Sequence, residues 1–190
     1  EMNTKDFRTK TEFLTMENGR LEGVWPIGID IGYSAVKGFA PNGASRFPSF
    51  ARKKGPLDNF EFAVKTPDSV ILYRDDTNGD IWLVGELAQN IMESGDTSAS
   101  EASLYSRERY YSPMFRVITE TGLGISLLGN GAGMIMPNDR IQVQTGLPER
   151  YMNDKNELVS VMTGEHSFSL KIGDRDWAAF HFVLNEDDIS

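Results

Sequence analysis

The chain has 190 residues, with 19 Lys and Arg against 28 Asp and Glu, a net charge of −9 and no cysteine. That length suits one domain, or one large and one small lobe, with a core that needs no covalent staples. The missing thiols exclude disulfides, thiolate metal sites, iron–sulfur clusters and cysteine nucleophiles, and the acidic balance argues against direct binding to a phosphate backbone.

Residues 1–24 form a polar arm with isolated Phe7, Phe13 and Leu14, which fits a frayed terminus or a short helix equally. Residues 1–26 hold no apolar run of the kind a secretory signal needs. From Trp25 the pattern changes. Ile27 to Ile31 is a short apolar run closed by Gly32, a buried strand. Val36 to Ala40 reads as a second strand, Pro41-Asn42-Gly43 as a turn, and Ser45 to Phe50 as a third extended segment. Arg52, Lys53 and Lys54 make a local basic spot that reads as a solvated loop. Val70 to Tyr73 and Ile81 to Val84 flank a turn rich in Asp, Asn and Gly, which predicts a hairpin.

Glu86 to Met92 is a short predicted helix, and Ser94 to Ser106 a polar, turn-rich stretch. Ser112-Pro113 supplies a hydroxyl cap and a first-turn proline for a helix carrying Met114, Val117, Ile118 and Ile125, although Gly122 and Gly124 weaken its middle. The uncharged run from Thr121 to Pro137 holds Asn130 and five glycines, so it predicts a helix end and a loop rather than a membrane span. Arg140 to Thr145 alternates as a half-buried strand, and Gly146-Leu147-Pro148 ends it. Glu149 to Met162 is predicted helical with a break around Asn153, and Gly164 stops it. His166 to Ile172 and Asp176 to Leu184 then form a strand pair turning at Gly173-Asp174.

The informative stretch is Ile27 to Lys37. A buried strand delivers Asp30 to a tight turn. Gly32 permits close approach of the backbone, and the amides of Gly32, Tyr33 and Ser34 can converge on an anion. Ser34 adds a hydroxyl and Lys37 a cation on the returning strand. A carboxylate beside that anion needs a divalent cation between them. The residues therefore describe a phosphate-and-magnesium hairpin. They equally describe an ordinary hairpin in which Asp30 caps amides and Lys37 is solvated.

Other motifs give less. No Lys-Ser/Thr P-loop, Gly-x-Gly-x-x-Gly or Gly-x-Ser-x-Gly elbow is present. Asp76, Asn78 and Asp80 alternate like a calcium loop, but Ile81 and Leu87 occupy positions where that loop needs Gly and Glu. Gly129 to Gly133 reads as a flexible loop. His166 and His181 read as strand residues, and Trp25, Trp82 and Trp177 as packing residues.

Asp30 to Lys37 resembles the first phosphate motif of the actin/Hsp70/sugar-kinase superfamily and, more narrowly, that of the ParM/StbA-type actin-like proteins of plasmid segregation. Arg46-Phe47-Pro48-Ser49, Trp82 to Ala88, and Val143 to Tyr151 with its Gly-Leu-Pro turn resemble further segments of that family in order and spacing. The resemblance spans residues 27–184. It implies an α/β, actin-like (ribonuclease H-like) first lobe with a mixed central sheet, flanking helices and a small inserted subdomain. The expected division is the arm at 1–24 and an actin-like domain at 25–190, its core at 25–50 and 110–190 and its subdomain at 51–109.

The resemblance also implies function. Gly32, Tyr33 and Ser34 would contact the β- and γ-phosphates of ATP, Lys37 would stabilise their charge, and Asp30 would hold the water shell of Mg2+. Glu186 is the candidate for the family's hydrolytic residue. The family's second Asp-x-Gly motif and its adenosine motif belong to a second lobe and do not occur here, so ATPase activity would require that lobe. The implied whole is a cytoplasmic filament-forming ATPase that self-associates and reaches DNA through an adaptor protein, with no membrane contact. The alternatives are a non-catalytic half-actin interaction module and a small-molecule kinase lobe.

Overall fold

The computed structural model describes residues 8–56, 58, 65–93, 107–128, 138–147 and 149–190. The polar stretch expected over 94–106, the glycine loop over 129–133 and Pro148 lie outside them. Among the described residues ten strands form two five-stranded sheets. The first has the order β1 (Glu12–Thr15), β4 (Gly43–Pro48), β3 (Ala35–Ala40), β2 (Val24–Ile31), β8 (Arg140–Thr145). The second has the order β10 (Ala178–Leu184), β9 (Gly164–Ile172), β6 (Ile71–Asp75), β7 (Ile81–Val84), β5 (Ala51–Lys53). Helices α1 (Glu86–Glu93), α2 (Pro113–Leu127) and α3 (Lys155–Met162) complete the fold. Strands β2 and β8 are parallel; the other pairings between strands are antiparallel. The mixed α/β architecture is the expected one.

Helix α2 organises the core. Ser112 accepts the Phe115 amide at 3.2 Å, and Pro113 occupies the first turn, where its missing N–H costs nothing. Thirteen of its 15 residues are buried, because the helix runs between the two sheets. Its buried hydroxyls are satisfied within the helix: Thr119, Thr121 and Ser126 donate to carbonyls four residues back at 2.7–2.9 Å. Gly122 and Gly124 are what let it fit. A Cβ on Gly122 would stand 2.8 Å from Ile29 and 2.9 Å from Val36 of the first sheet. One on Gly124 would stand 2.7 Å from Leu170 and 2.8 Å from Phe168 of the second. The residues that weaken the helix in isolation thus bring both sheets onto it. Its far end is held by the Trp25 indole, which donates to the Ser126 carbonyl at 3.0 Å, and by the Asn42 amide, which donates to the Leu128 carbonyl.

Several segments differ from the sequence reading. Part of the N-terminal arm is neither frayed nor helical: β1 pairs with β4 in the register Glu12↔Arg46 to Thr15↔Gly43, and Glu12 forms an ion pair with Arg46 at 2.9 Å. The basic spot is a short edge strand, with Arg52 paired to Asp58 at 2.8 Å and Lys53 to Asp80 at 2.7 Å. Strands β9 and β10 return from the C-terminal part of the chain to the sheet of β5–β7, a pairing that the sequence reading does not specify. The segment from Glu149 is a 3-10 turn to Asp154 and an α-helix only from Lys155, near the break expected at Asn153. Gly164, at φ +113°, opens β9 directly after that helix.

The C-terminal turn, Glu186–Asp188, docks against β8. Ser190 donates to the Val143 carbonyl and accepts the Thr145 amide, both at 2.9 Å, so Ile189 and Ser190 lie parallel to β8. Asp188 fixes this turn by accepting the Asn185 amide at 2.8 Å and pairing with Arg140. Among the described residues no helix is long and apolar enough to cross a membrane.

Two outcomes follow from this packing. Gly124→Val places two methyl groups where one carbon already collides, and overpacking of this kind costs about 2 kcal/mol or more, outweighing the small gain in helix propensity. Urea denaturation will show the loss, whereas Gly19→Ala, where a Cβ meets nothing within 4 Å, will leave the midpoint nearly unchanged. The Asn185 amide, then Arg140, hold the Asp188 carboxyl below its ordinary range. A depressed folded-state value stabilises above the unfolded carboxyl's pKa of about 3.9 and is lost as pH falls through the lower value. Asp188→Asn is therefore expected to cost about 1 kcal/mol at neutral pH and to flatten the acid limb of the stability curve below about pH 4.

Candidate functional site

The β2–β3 hairpin carries the predicted residues. Along β2, Trp25, Ile27 and Ile29 point into the core, so Asp30 points out, on the face of the first sheet away from α2. Asp30 and Lys37 are direct cross-strand partners, and the Lys37 ammonium donates to the Asp30 carboxylate at 3.1 Å, with both side chains more than half exposed. An ion pair this exposed is worth at most about 1 kcal/mol, so either charge can be redirected to a ligand at small cost.

The connecting turn is Gly32-Tyr33-Ser34, and three carbonyls in and before it are drawn into the protein. The Ile31 carbonyl accepts the Arg109 guanidinium. The Gly32 carbonyl accepts the Ser49 hydroxyl at 2.8 Å, and the Ser34 carbonyl accepts the Ser49 amide at 3.2 Å. With its acceptors turned inward, the bend presents donors to solvent. Neither the amide nor the hydroxyl of Ser34 is engaged among the described residues. One expectation is corrected here. The Gly32 amide does not join an anion-facing set, because it donates to the Ala35 carbonyl at 3.0 Å and closes the turn. The same closeness explains the glycine: a Cβ there would stand 3.0 Å from that carbonyl.

The turn lies at the carboxyl end of β2, beside Gly146 and Leu147 at the carboxyl end of parallel β8. Crevices outside the carboxyl ends of parallel strands are where open α/β sheets bind ligands. Glu186 is not brought to this group. It is exposed in the turn that Asp188 anchors to Arg140, the first residue of β8, at the opposite end of the sheet.

Asp30, Lys37 and Ser34 were legible in the sequence. Ser49 was quoted only as part of a motif, and its role as the strut beneath the turn appears in the tertiary structure alone. Arg109 carried no sequence signal beyond its aromatic neighbours Tyr110 and Tyr111.

Other polar groups lie away from the hairpin. Glu120, fully buried on α2, accepts the Tyr73 hydroxyl, accepts Arg116 at 3.2 Å and meets His166 Nδ1 at 2.8 Å. The other His166 nitrogen donates to the Met162 carbonyl at 2.8 Å. Burial, and then the Glu120 carboxylate, push the Tyr73 hydroxyl well above its ordinary range, which keeps it a donor. This network borders a cleft of about 610 Å3 lined also by Trp82, Tyr110 and Glu165. Its polar groups are spent on joining α2 to β6 and β9. His181 is exposed beside Glu165. The Asp75–Asp80 segment is a hairpin turn, with Asp75 accepting the Thr77 amide at 2.9 Å. Among the described residues no cluster of three or more His, Asp or Glu is placed to hold a metal ion.

The sequence model described as "Actin like proteins N terminal domain" matches residues 28–182. No protein of curated function matches the sequence. Among solved structures, the chain is similar to a 15-stranded ParM filament from Clostridium botulinum, at 22% identity and a TM-score of 0.63, covering 88% of this chain and 47% of that one. It is similar to a pCBH ParM non-polymerisable quadruple mutant at 23% identity and a TM-score of 0.60, covering 87% and 45%. It is similar to an AlfA filament bound to AMPPNP at 18% identity and a TM-score of 0.54, covering 85% and 52%. At these identities the likeness is one of fold. The chain spans slightly under half the length of the two ParM chains.

Proposed function

This chain belongs to the actin-like proteins by their N-terminal domain, and we propose that it is the nucleotide-binding first lobe of a filament-forming ATPase that segregates plasmid DNA. The observation that carries this reading is the pairing of Asp30 with Lys37 across the β2–β3 hairpin, beside a turn where the Ile31, Gly32 and Ser34 carbonyls are turned inward.

Each residue then has a role in holding ATP with Mg2+. Ser34 offers its amide and hydroxyl to phosphate oxygens, and Gly32 and Tyr33 shape the bend that carries them. Lys37 swings from Asp30 to the phosphates and offsets their charge as a compact cation. Asp30, released from Lys37, accepts hydrogen bonds from the metal's water shell; a single carboxylate suits magnesium, which keeps several waters. When bound, magnesium neutralises charge on the phosphates. Asp30, Ser34 and Lys37 are exposed, so a second surface closing over them would exclude water and would carry the hydrolytic group.

The AMPPNP-bound AlfA filament and the ParM filament share this fold, which supports nucleotide binding and self-association here. The net charge of −9 favours contact with DNA through an adaptor, and we place the protein in the cytoplasm.

Titration of the intact protein with ATP tests the site. Asp30→Asn is expected to remove most of the magnesium dependence of binding. Lys37→Ala is expected to weaken ATP about tenfold or more with or without the metal, as loss of a charge-assisted contact does. Parent-like affinity in both variants, or no ATP binding by the intact protein, overturns the assignment. ATP-dependent pelleting separates the filament reading from a nucleotide-independent interaction module.

A further inference from the structure

The β2–β3 turn is held from beneath by a residue that lies in none of the recognisable motifs. Arg109 sits in the 3-10 turn Arg107–Tyr111, far from the hairpin in sequence, and is only 5% exposed. Its guanidinium donates to the Ile31 carbonyl, where β2 ends and the turn begins. Its central carbon lies 4.4 Å from the centre of the Tyr33 ring, 4.8 Å from that of Phe115 and 5.5 Å from that of Tyr110. Tyr33 belongs to the turn and Phe115 to the first turn of α2. The Arg109 carbonyl accepts the Ser112 hydroxyl at 2.8 Å and the Ser112 amide at 3.1 Å, and Ser112 is the cap of that helix.

We infer that Arg109 is the positioning residue of the turn: it fixes the end of β2 and the Tyr33 ring in one arrangement and ties that arrangement to the start of α2. The inference rests on the reading of the turn as a polyphosphate site and adds how that site is kept ordered and what it is coupled to. A guanidinium suits the task because it is planar. It donates in its plane to a carbonyl while aromatic rings meet its faces, a combination a lysine ammonium does not reproduce. An ordered turn also spares the ligand the cost of ordering it on binding. Because the residue that clamps the turn also accepts the hydroxyl and the amide of the helix cap Ser112, a ligand that tightens the turn also tightens the start of α2, and the coupling runs equally in the other direction.

The test uses Arg109→Lys, Arg109→Met, Tyr33→Leu and the Arg109→Met/Tyr33→Leu double variant. Hydrogen exchange is followed at the Gly32 and Ser49 amides, which donate within the turn, without nucleotide. ATP–magnesium affinity of the intact protein is measured alongside. Arg109→Lys and Arg109→Met are each expected to speed exchange at both amides and to weaken ATP about tenfold, as loss of a desolvated cation–π contact and its hydrogen bond does. Tyr33→Leu, at a partly buried position outside the hydrophobic core cluster, is expected to act in the same direction, and the double variant to cost little more than Arg109→Met alone. Parent-like exchange and affinity in Arg109→Lys overturn the inference. So do effects of Arg109→Met and Tyr33→Leu that simply multiply. If the parent binds no ATP while the exchange responds as expected, the nucleotide reading falls and the clamp stands.

Discussion

Everything else in this fold depends on how closely two sheets approach a single helix. Helix α2 is buried nearly all round, and two glycines two residues apart face opposite ways: Gly122 towards Ile29 and Val36, Gly124 towards Phe168 and Leu170. A helix of ordinary side chains would hold the sheets apart and leave voids that a close-packed interior does not tolerate. The cost is helix propensity, and burial of the apolar residues around the glycines offsets it. Polar groups trapped by that approach have to be satisfied locally. Thr119, Thr121 and Ser126 do so within the helix, and Glu120 does so through Tyr73, Arg116 and His166.

The Glu120 network is best understood as part of this clamp. Removal of one member would leave the others desolvated and unmatched, which is costly, while the intact group specifies which face of α2 meets β6 and β9. It therefore fixes the rotation of the helix about its axis, and with it the position of Ser112 and Arg109 at the helix start. The β2–β3 turn inherits its placement from that chain of contacts: core to helix, helix cap to Arg109, Arg109 to the end of β2. The chemistry of the site is exposed and built from weak pairs, whereas its support is buried and built from strong ones.

The first sheet shows the same logic at its edges. β1 covers β4, Ile189 and Ser190 lie beside β8, and the Asp30–Lys37 face is left bare of helices among the described residues. The outward residues Pro26, Asp30, Lys37, Phe39 and Gln144 mix apolar, polar and charged side chains, all exposed.

The sequence by itself determined the elements whose signals are local. Alternation set β8 to its observed ends, the Ser-Pro pair set the start of α2, the Asp/Asn/Gly run set the β6–β7 hairpin, and the Asp30 to Lys37 pattern located the hairpin of the candidate site. These depend on residues within a few positions of one another, where periodicity, caps and turn chemistry act directly. Tertiary structure alone decided the rest. It made part of the arm an edge strand, because Glu12–Thr15 gains its pairing from β4 and has weak preference of its own. It returned β9 and β10 to the sheet of β5–β7, a choice between distant partners that no local pattern encodes. It turned Gly122 and Gly124 from weaknesses into contacts, took Glu186 away from the turn, and brought in Ser49 and Arg109 beneath it. Contacts between residues distant in the chain are set by which surfaces bury one another, and that is a property of the whole packed molecule rather than of any segment.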